Sequence, residues 1–212
     1  MAALPSIPLT VRKLGLADYD ATWREMRAFT DARIAHTPDE LWLLQHPPVF
    51  TLGRNGKAEH VHHTGDIPVL HVDRGGQVTY HGPGQLIAYL MLDLKRRRLG
   101  IQSLVRLLEQ SVIDLLADYA VRAARRDKAP GVYVDGRKIA ALGLRVRRGC
   151  CYHGLSLNVS VDLAPFAMIN PCGHPGLEVT RLADLGIDVP LETVAARYQW
   201  HVERLLNGSA NE

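Results

Sequence analysis

The sequence predicts an α/β (α+β) fold, a mixed β-sheet flanked by helices, and three observations carry that expectation. Runs with strand character outnumber helical ones and several are neighbours in the chain, which favours a mixed sheet over strict alternation. Asp135-Gly136 stands between two β-rich runs, a strong two-residue hairpin signal. The chain has 212 residues, 47% of them hydrophobic, enough to bury roughly 70% of the unfolded surface without disulfides or a metal. One domain over residues 1–207 is expected, with a polar, disordered tail at 208–212.

The elements follow in order. "IPLTVRKL" alternates, with Ile7, Leu9 and Val11 on one side, and reads as a strand. In "DYDATWREMRAFTDARIA" Tyr19, Trp23 and Met26 share a helical face, with Asp18 as N-cap. "LWLLQHPPVFTLG" reads as two short strands broken by Pro47-Pro48. "IPVLHVD" and "GQLIAYLMLDL" are further strands, the second apolar enough to be central in a sheet. "IQSLVRLLEQSVIDLLADYA" is the clearest helix, placing Leu104, Leu107, Leu108, Val112, Leu115 and Tyr119 on one face. "GVYVDGRKIAALGLRV" forms the hairpin, and "GLSLNVSVDL" supplies another strand. A last helix starts near Pro190, a favoured first-turn residue, and buries Val194, Tyr198, Val202 and Leu205.

Composition excludes several classes. The start "MAALPSIPLTVRKLG" lacks the basic and apolar regions of a signal peptide, and no apolar run nears the roughly 18 residues of a membrane span. Three cysteines, two of them adjacent at Cys150 and Cys151, are poor material for disulfides and fit a reduced cytoplasmic setting. The net charge of +3 is gathered into "KRRRLG", "RAARRDK" and "RVRRG", solvated faces or a surface for an acidic partner.

Four stretches can carry chemistry. "DRGGQVTYHGPGQL" (73–86) is glycine-rich, built for unusual dihedrals and close approach, yet it is neither GxGxxG nor a P-loop. "GRKIAALGLRV" puts Lys138 at the start of an apolar strand, where burial would make it a usable base. "YHGLSLNVSVDL" opens on His153 and Gly154. "INPCGHPGLEV" sets Cys172 between Pro171 and Gly173, in a turn rather than a core strand, where a nucleophile would need a base or cation beside it. His81, His153, His174 and Lys138 are all candidates for that partner, and spacing alone does not choose. "EHVHH" (59–63) and the cysteine pair look ligand-rich, but no C-x₂-C or matched H-x₃₋₅-H accompanies them, so no metal is expected.

Taken together these stretches resemble the octanoyl-acyl-carrier-protein:protein octanoyltransferases of lipoate biosynthesis, the lipoate-protein ligase B family. The resemblance spans nearly the whole chain, with "TLGRNG", "RGGQVTYHGPGQLIAY", "GVYVDGRKIAALGLRV", "HGLSLNV" and "NPCG" in order. It implies a fold similar to the catalytic domain of biotin protein ligases and lipoate ligases. It implies Cys172 as the nucleophile that carries the octanoyl group, and Lys138 as the lysine that assists it and shuttles protons. The residues implied to line the substrate site are Arg74, Gly75, Gly76, Gln77, Val78, Thr79, Tyr80 and His81, then Ala141, Leu142 and Gly143, then Gly154, Leu155 and Ser156. Octanoyl-acyl carrier protein is the implied donor. Lipoyl domains of 2-oxoacid dehydrogenases and the glycine cleavage H protein are the implied acceptors, with no cofactor; composition adds no nucleic acid or membrane partner, and with no dedicated association helix a monomer is expected.

Acyl transfer passes through an oxyanion, for which backbone at Gly154 and beside Cys172 is available. Leu142 and Leu155 are expected in the wall of an apolar slot, and Arg96, Arg97, Arg145 and Arg148 are expected to steer acidic carriers. An ATP-dependent lipoate or biotin ligase on the same fold is the nearest alternative, but it has no need of Cys172. A nucleic-acid-binding domain would want aromatics among the basic clusters, which contain none. A cysteine hydrolase using His81 or His153 would leave Lys138 dispensable.

Overall fold

The computed structural model describes residues 7–208; the expected tail therefore lies outside the described residues beyond Gly208. The chain order is β1 (Leu9–Leu16), α1 (Tyr19–Asp31), β2 (Asp39–Gln45), β3 (Val49–Leu52), β4 (Val69–His71), β5 (Val78–His81), β6 (Gln85–Asp93), α2 (Ile101–Ala117), β7 (Val132–Val134), β8 (Arg137–Arg147), β9 (Cys150–Asn158) and α3 (Leu191–Gly208). A six-stranded sheet runs β1-β2-β6-β9-β8-β7, parallel between β1 and β2 and antiparallel elsewhere. A second sheet, β4-β3-β5, joins one parallel and one antiparallel pair. The fold is mixed α/β, with two sheets where one was expected.

Strand β6 shows why its sequence is almost continuously apolar. Period-2 alternation sends Leu86, Ala88, Leu90 and Leu92 into the cluster that holds Leu104, Leu108, Val112 and Leu115 of α2 and Val194, Tyr198 and Val202 of α3. Ile87, Tyr89 and Met91 point the other way, against Met26 of α1 and Trp42. Both faces are covered, as for a central strand. In α3 Leu206 rather than Leu205 is the fully buried leucine of the last turn. Asp18 caps α1 through its carboxylate, which accepts from the Ala21 N–H at 2.9 Å.

Two hairpins use the same turn chemistry. Asp135-Gly136 joins β7 to β8 with φ of 49° and 79°, and Arg148-Gly149 joins β8 to β9 with φ of 52° and 84°. The second turn lies within the basic run "RVRRG", and with it β9 starts at Cys150, four residues before the expected Gly154, and ends at Asn158. Cys151 is thereby a core residue, its thiol 3.4 Å from the Leu90 carbonyl and pushed up to about 12 by burial.

Part of the basic run proves structural. Asp39, wholly buried at the start of β2, accepts from Arg33 and Arg96 at 2.6 Å and from Arg97 at 2.5 Å. Arg97 is itself buried, and Arg96 also donates to the carbonyls of Ala35 and Thr37. These two are therefore not free to steer a partner, as the charge run alone suggested.

Candidate active site

Cys172 and Lys138, 34 residues apart, meet with Nζ 2.9 Å from Sγ. Lys138 is the second residue of β8 and only 4% exposed. Its Nζ also donates to the Pro130 carbonyl at 3.2 Å and stands 5.2 Å from the centre of the Tyr133 ring. Burial works against the ammonium, but the Cys172 sulfur outweighs it, with a smaller contribution from Tyr133, and the Lys138 pKa ends above its ordinary value. Gly131 makes room for this lysine, since a Cβ there would stand 3.0 Å from Cε and 2.8 Å from the Ala140 carbonyl.

Cys172 sits in a one-turn 3₁₀ segment, Pro171–Gly173, at φ 56° and ψ 18°, a left-handed conformation costly for a side-chain-bearing residue. The turn closes through the Gly173 N–H, which donates to the Asn170 carbonyl at 2.9 Å. That amide is thus committed to the turn and is not a spare oxyanion donor. Downstream, the chain is hooked onto β8 at the lysine itself: Lys138 N–H donates to the Glu178 carbonyl and Thr180 N–H to the Lys138 carbonyl, both at 2.9 Å.

The dyad opens on a cavity of about 450 Å³. Its walls include Arg74, Gly75, Gly76, Gln77, Val78, Thr79, His81, Ala141, Leu142, Gly143, Gly154, Leu155 and Ser156, besides Lys138 and Cys172. Tyr80 is the implied residue that lies elsewhere. Strand alternation sends its ring into the small-sheet core, between Phe50 and Phe166 at centroid distances of 5.4 and 5.5 Å. The glycines serve close approach: Gly75 N–H donates to the Leu144 carbonyl at 2.9 Å, and a Cβ on Gly143 would stand 3.0 Å from both the Arg74 side chain and the Gly75 carbonyl. Exposed Ile101 and Val146 mark the mouth, and buried Tyr19, Tyr89 and His153, absent from the expected list, close the far side.

That far side is a hydrogen-bonded polar layer. The Arg74 guanidinium donates to the Thr51 carbonyl at 2.6 Å and to the Gly75 carbonyl at 2.9 Å. His81 Nδ1 meets Gln85 Oε1 at 2.8 Å, and Gln85 Nε2 donates to Asn158 Oδ1 at 2.9 Å. Tyr89 OH meets His46 Nε2 at 2.8 Å. His153 Nε2 stands 3.0 Å from Asp73, which also accepts from Trp23 and Tyr152. Burial opposes ionisation of Asp73, but those three hydrogen bonds outweigh it and hold the carboxyl below its usual range. Burial lowers the pKa of His46, His81 and His153, so these rings are neutral at ordinary pH. Of the four partners open to Cys172 from the sequence, Lys138 is the one hydrogen-bonded to the sulfur. The described residues contain no group of three or more His, Cys, Asp or Glu that could hold a metal ion, and no helix long and apolar enough to cross a membrane.

An octanoyltransferase of Alkalilimnicola ehrlichii is 59% identical over 201 residues, covering 93% of this chain and 94% of the relative. One of Halorhodospira halophila is 63% identical over 181 residues, covering 85% and 83%. Among solved structures, a lipoate-protein ligase A bound with ATP superposes with a TM-score of 0.74 at 16% identity, over 93% of this chain and 84% of that one. A biotin protein ligase of Aquifex aeolicus gives 0.58 at 11% identity, over 97% and 72%; at such identities these two speak for the fold. Residues 18–202 match the lipoyl protein ligase A/B catalytic domain, and with such relatives along nearly its full length the chain belongs to that family, among its octanoyltransferases.

Proposed function

We propose that this enzyme moves an octanoyl group from octanoyl-acyl carrier protein to a lysine of lipoyl domains, through a thioester on Cys172 with Lys138 as proton partner. The observation that carries the reading is the 2.9 Å contact between a buried lysine and a turn-borne cysteine at the wall of a cavity. In the first half-reaction the Cys172 thiolate attacks the donor thioester. The acyl–sulfur bond to the carrier breaks, and the departing thiolate takes a proton from the Lys138 ammonium. Lys138 is then neutral and takes a proton from the acceptor amine as that amine attacks the acyl-enzyme. Cys172 leaves as thiolate and the ion pair is restored, with no ATP consumed.

The cavity suits the cargo. Leu142, Leu144, Leu155, Val105 and Ile101 offer apolar wall to an eight-carbon chain. The mouth suits an acidic carrier. Lys95, Arg98 and Arg148 are exposed, the Lys95 stem packs against the turn at Gly149, and Val146 and Ile101 lie on the adjoining segments. Replacing Lys95, Arg98 and Arg148 by Gln should slow capture of the donor and flatten its salt dependence while the rate at saturating donor stays. Unchanged salt dependence would remove this docking face. Lipoyl domains of 2-oxoacid dehydrogenases and the glycine cleavage H protein are the acceptors of this reading, in the cytoplasm and by a monomer.

The deciding experiment is intact-mass spectrometry after incubation with octanoyl-acyl carrier protein, wild type beside Cys172→Ser. One octanoyl adduct on the wild type alone supports the thioester route. Acceptor modification with no adduct on either would mean direct transfer and refute it.

A further inference from the structure

The histidine-rich run "EHVHH" resembles metal ligands in sequence, yet in the fold it lies against the nucleophile turn. Ala58–His60 forms a 3₁₀ turn, and its last residue grips Asn170 twice. The Asn170 N–H donates to the His60 carbonyl at 2.8 Å, and Asn170 Nδ2 lies 3.4 Å from His60 Nδ1. The other end of the same amide, Oδ1, is 3.1 Å from His62 Nε2. An amide donates through nitrogen and accepts through oxygen, so His60 is the acceptor at Nδ1 and His62 the donor at Nε2. On both sides of this contact the backbones pair as well, through the Val61–Ile169 bridge and the His62 N–H on the Met168 carbonyl at 2.9 Å.

The grip reaches Cys172 across two peptide units. Asn170 supplies the carbonyl that closes the turn around Cys172. Beyond it Gly173 is hemmed in: a Cβ there would stand 3.3 Å from His60 Nε2 and 3.0 Å from Gln77 Cγ. Gln77 is fixed in turn by the Lys57 N–H, which donates to its Oε1 at 3.1 Å. The left-handed Cys172 would relax without such a hold, and a relaxed turn carries Sγ away from Lys138 Nζ.

We infer that His60 is a positioning residue for the Cys172 turn, acting through Asn170, with His62 as its counterpart on the opposite end of the amide. This rests on the reading of Cys172 as the acyl-carrying nucleophile. Neither histidine is asked to exchange a proton with substrate. The function of the run is to keep a strained turn in the one geometry that pairs sulfur with lysine.

The test is single-turnover octanoylation of Cys172, followed by intact mass, with His60→Ala, Asn170→Ala, the double variant and His60→Asn. His60→Ala should lower the rate at saturating donor by 10- to 100-fold, because an ångström of misplacement costs about that much. The donor concentration at half-saturation should stay as in wild type. Asparagine places an oxygen where imidazole has Nδ1, so His60→Asn should recover most of the rate. The double variant should lose little more than Asn170→Ala alone, since that substitution already removes the His60 side-chain contact along with that of His62. A wild-type rate in His60→Ala overturns the inference. Equal losses in His60→Ala and His60→Asn also overturn it, pointing to the imidazole itself or to folding. Absence of any adduct on the wild type would strike the proposed function instead, so the two failures read differently.

Discussion

Replacing Lys138 by methionine removes the charge and keeps most of the volume, in a site only 4% exposed. Sγ and Nζ are 2.9 Å apart, so at an effective dielectric near 20 the proposed thiolate–ammonium pair would attract by roughly 6 kcal/mol. Desolvation of both ions and the half-exposed sulfur reduce the net loss to about 3 kcal/mol, which is on the order of a hundredfold in rate. Single-turnover assays should therefore show Cys172 acylation slowed about 100-fold, with the second half-reaction slowed further because the amine has lost its proton acceptor. Lys138→Arg separates the two roles. Guanidinium keeps a cation beside the sulfur but surrenders no proton, so acylation should suffer less than transfer to the acceptor. If Lys138→Met acylates within threefold of wild type, the pairing has no catalytic weight and Cys172 must be activated by another group.

Three further outcomes follow from the packing and the buried charges. Gly131→Ala forces a Cβ to 2.8 Å from the Ala140 carbonyl and 3.0 Å from Lys138 Cε at φ 144°; thermal unfolding should show a loss of about 1–3 kcal/mol, with activity falling more than stability explains. Asp39→Ala strands Arg33 and Arg97, both nearly buried, and should cost about 3–5 kcal/mol by denaturant titration, whereas a loss under 1 would mean the arginines find other partners. Burial brings the His46 pKa down to about 4 from 6.5, so the unfolded chain binds the extra proton first. The stability this ring confers is complete above pH 6.5 and is lost as pH falls toward 4, about 3 kcal/mol in all. His46→Gln should flatten that slope in urea titrations at pH 7 and pH 4.5, and an unaltered slope would assign it to other groups.

What was legible in the sequence, and what was not, divides along the range of the interactions. The Asp135-Gly136 turn, the Asp18 cap and the covered faces of β6 are written in windows of two to nine residues, and all three appear in the fold. Arg148-Gly149 is an equally local turn, but its arginine belongs to a charge run that masks it, and the start of β9 at Cys150 is hidden with it. Arg97 is illegible for the opposite reason: its partner Asp39 lies 58 residues earlier, and nothing in "KRRRLG" marks one arginine of the three as buried. Period-2 alternation along Val78–His81 separates Tyr80 from Thr79 and His81, but the glycines on both sides hide so short a strand in the sequence.

The site follows the same division. Cys172 and Lys138 stand in short motifs that name them, yet spacing left four partners for the sulfur, because no local rule brings positions 34 apart together. Three tertiary attachments make the choice. Residues 178–180 hook back onto β8 at Lys138 itself, Phe166 and Ile169 anchor the approach to the turn in the small-sheet core, and His60 and His62 hold Asn170 from the side. Each attachment uses residues that look unremarkable or misleading in one dimension. A cysteine held at φ 56° has to be held from several directions at once, so the residues that fix its geometry are scattered through the chain.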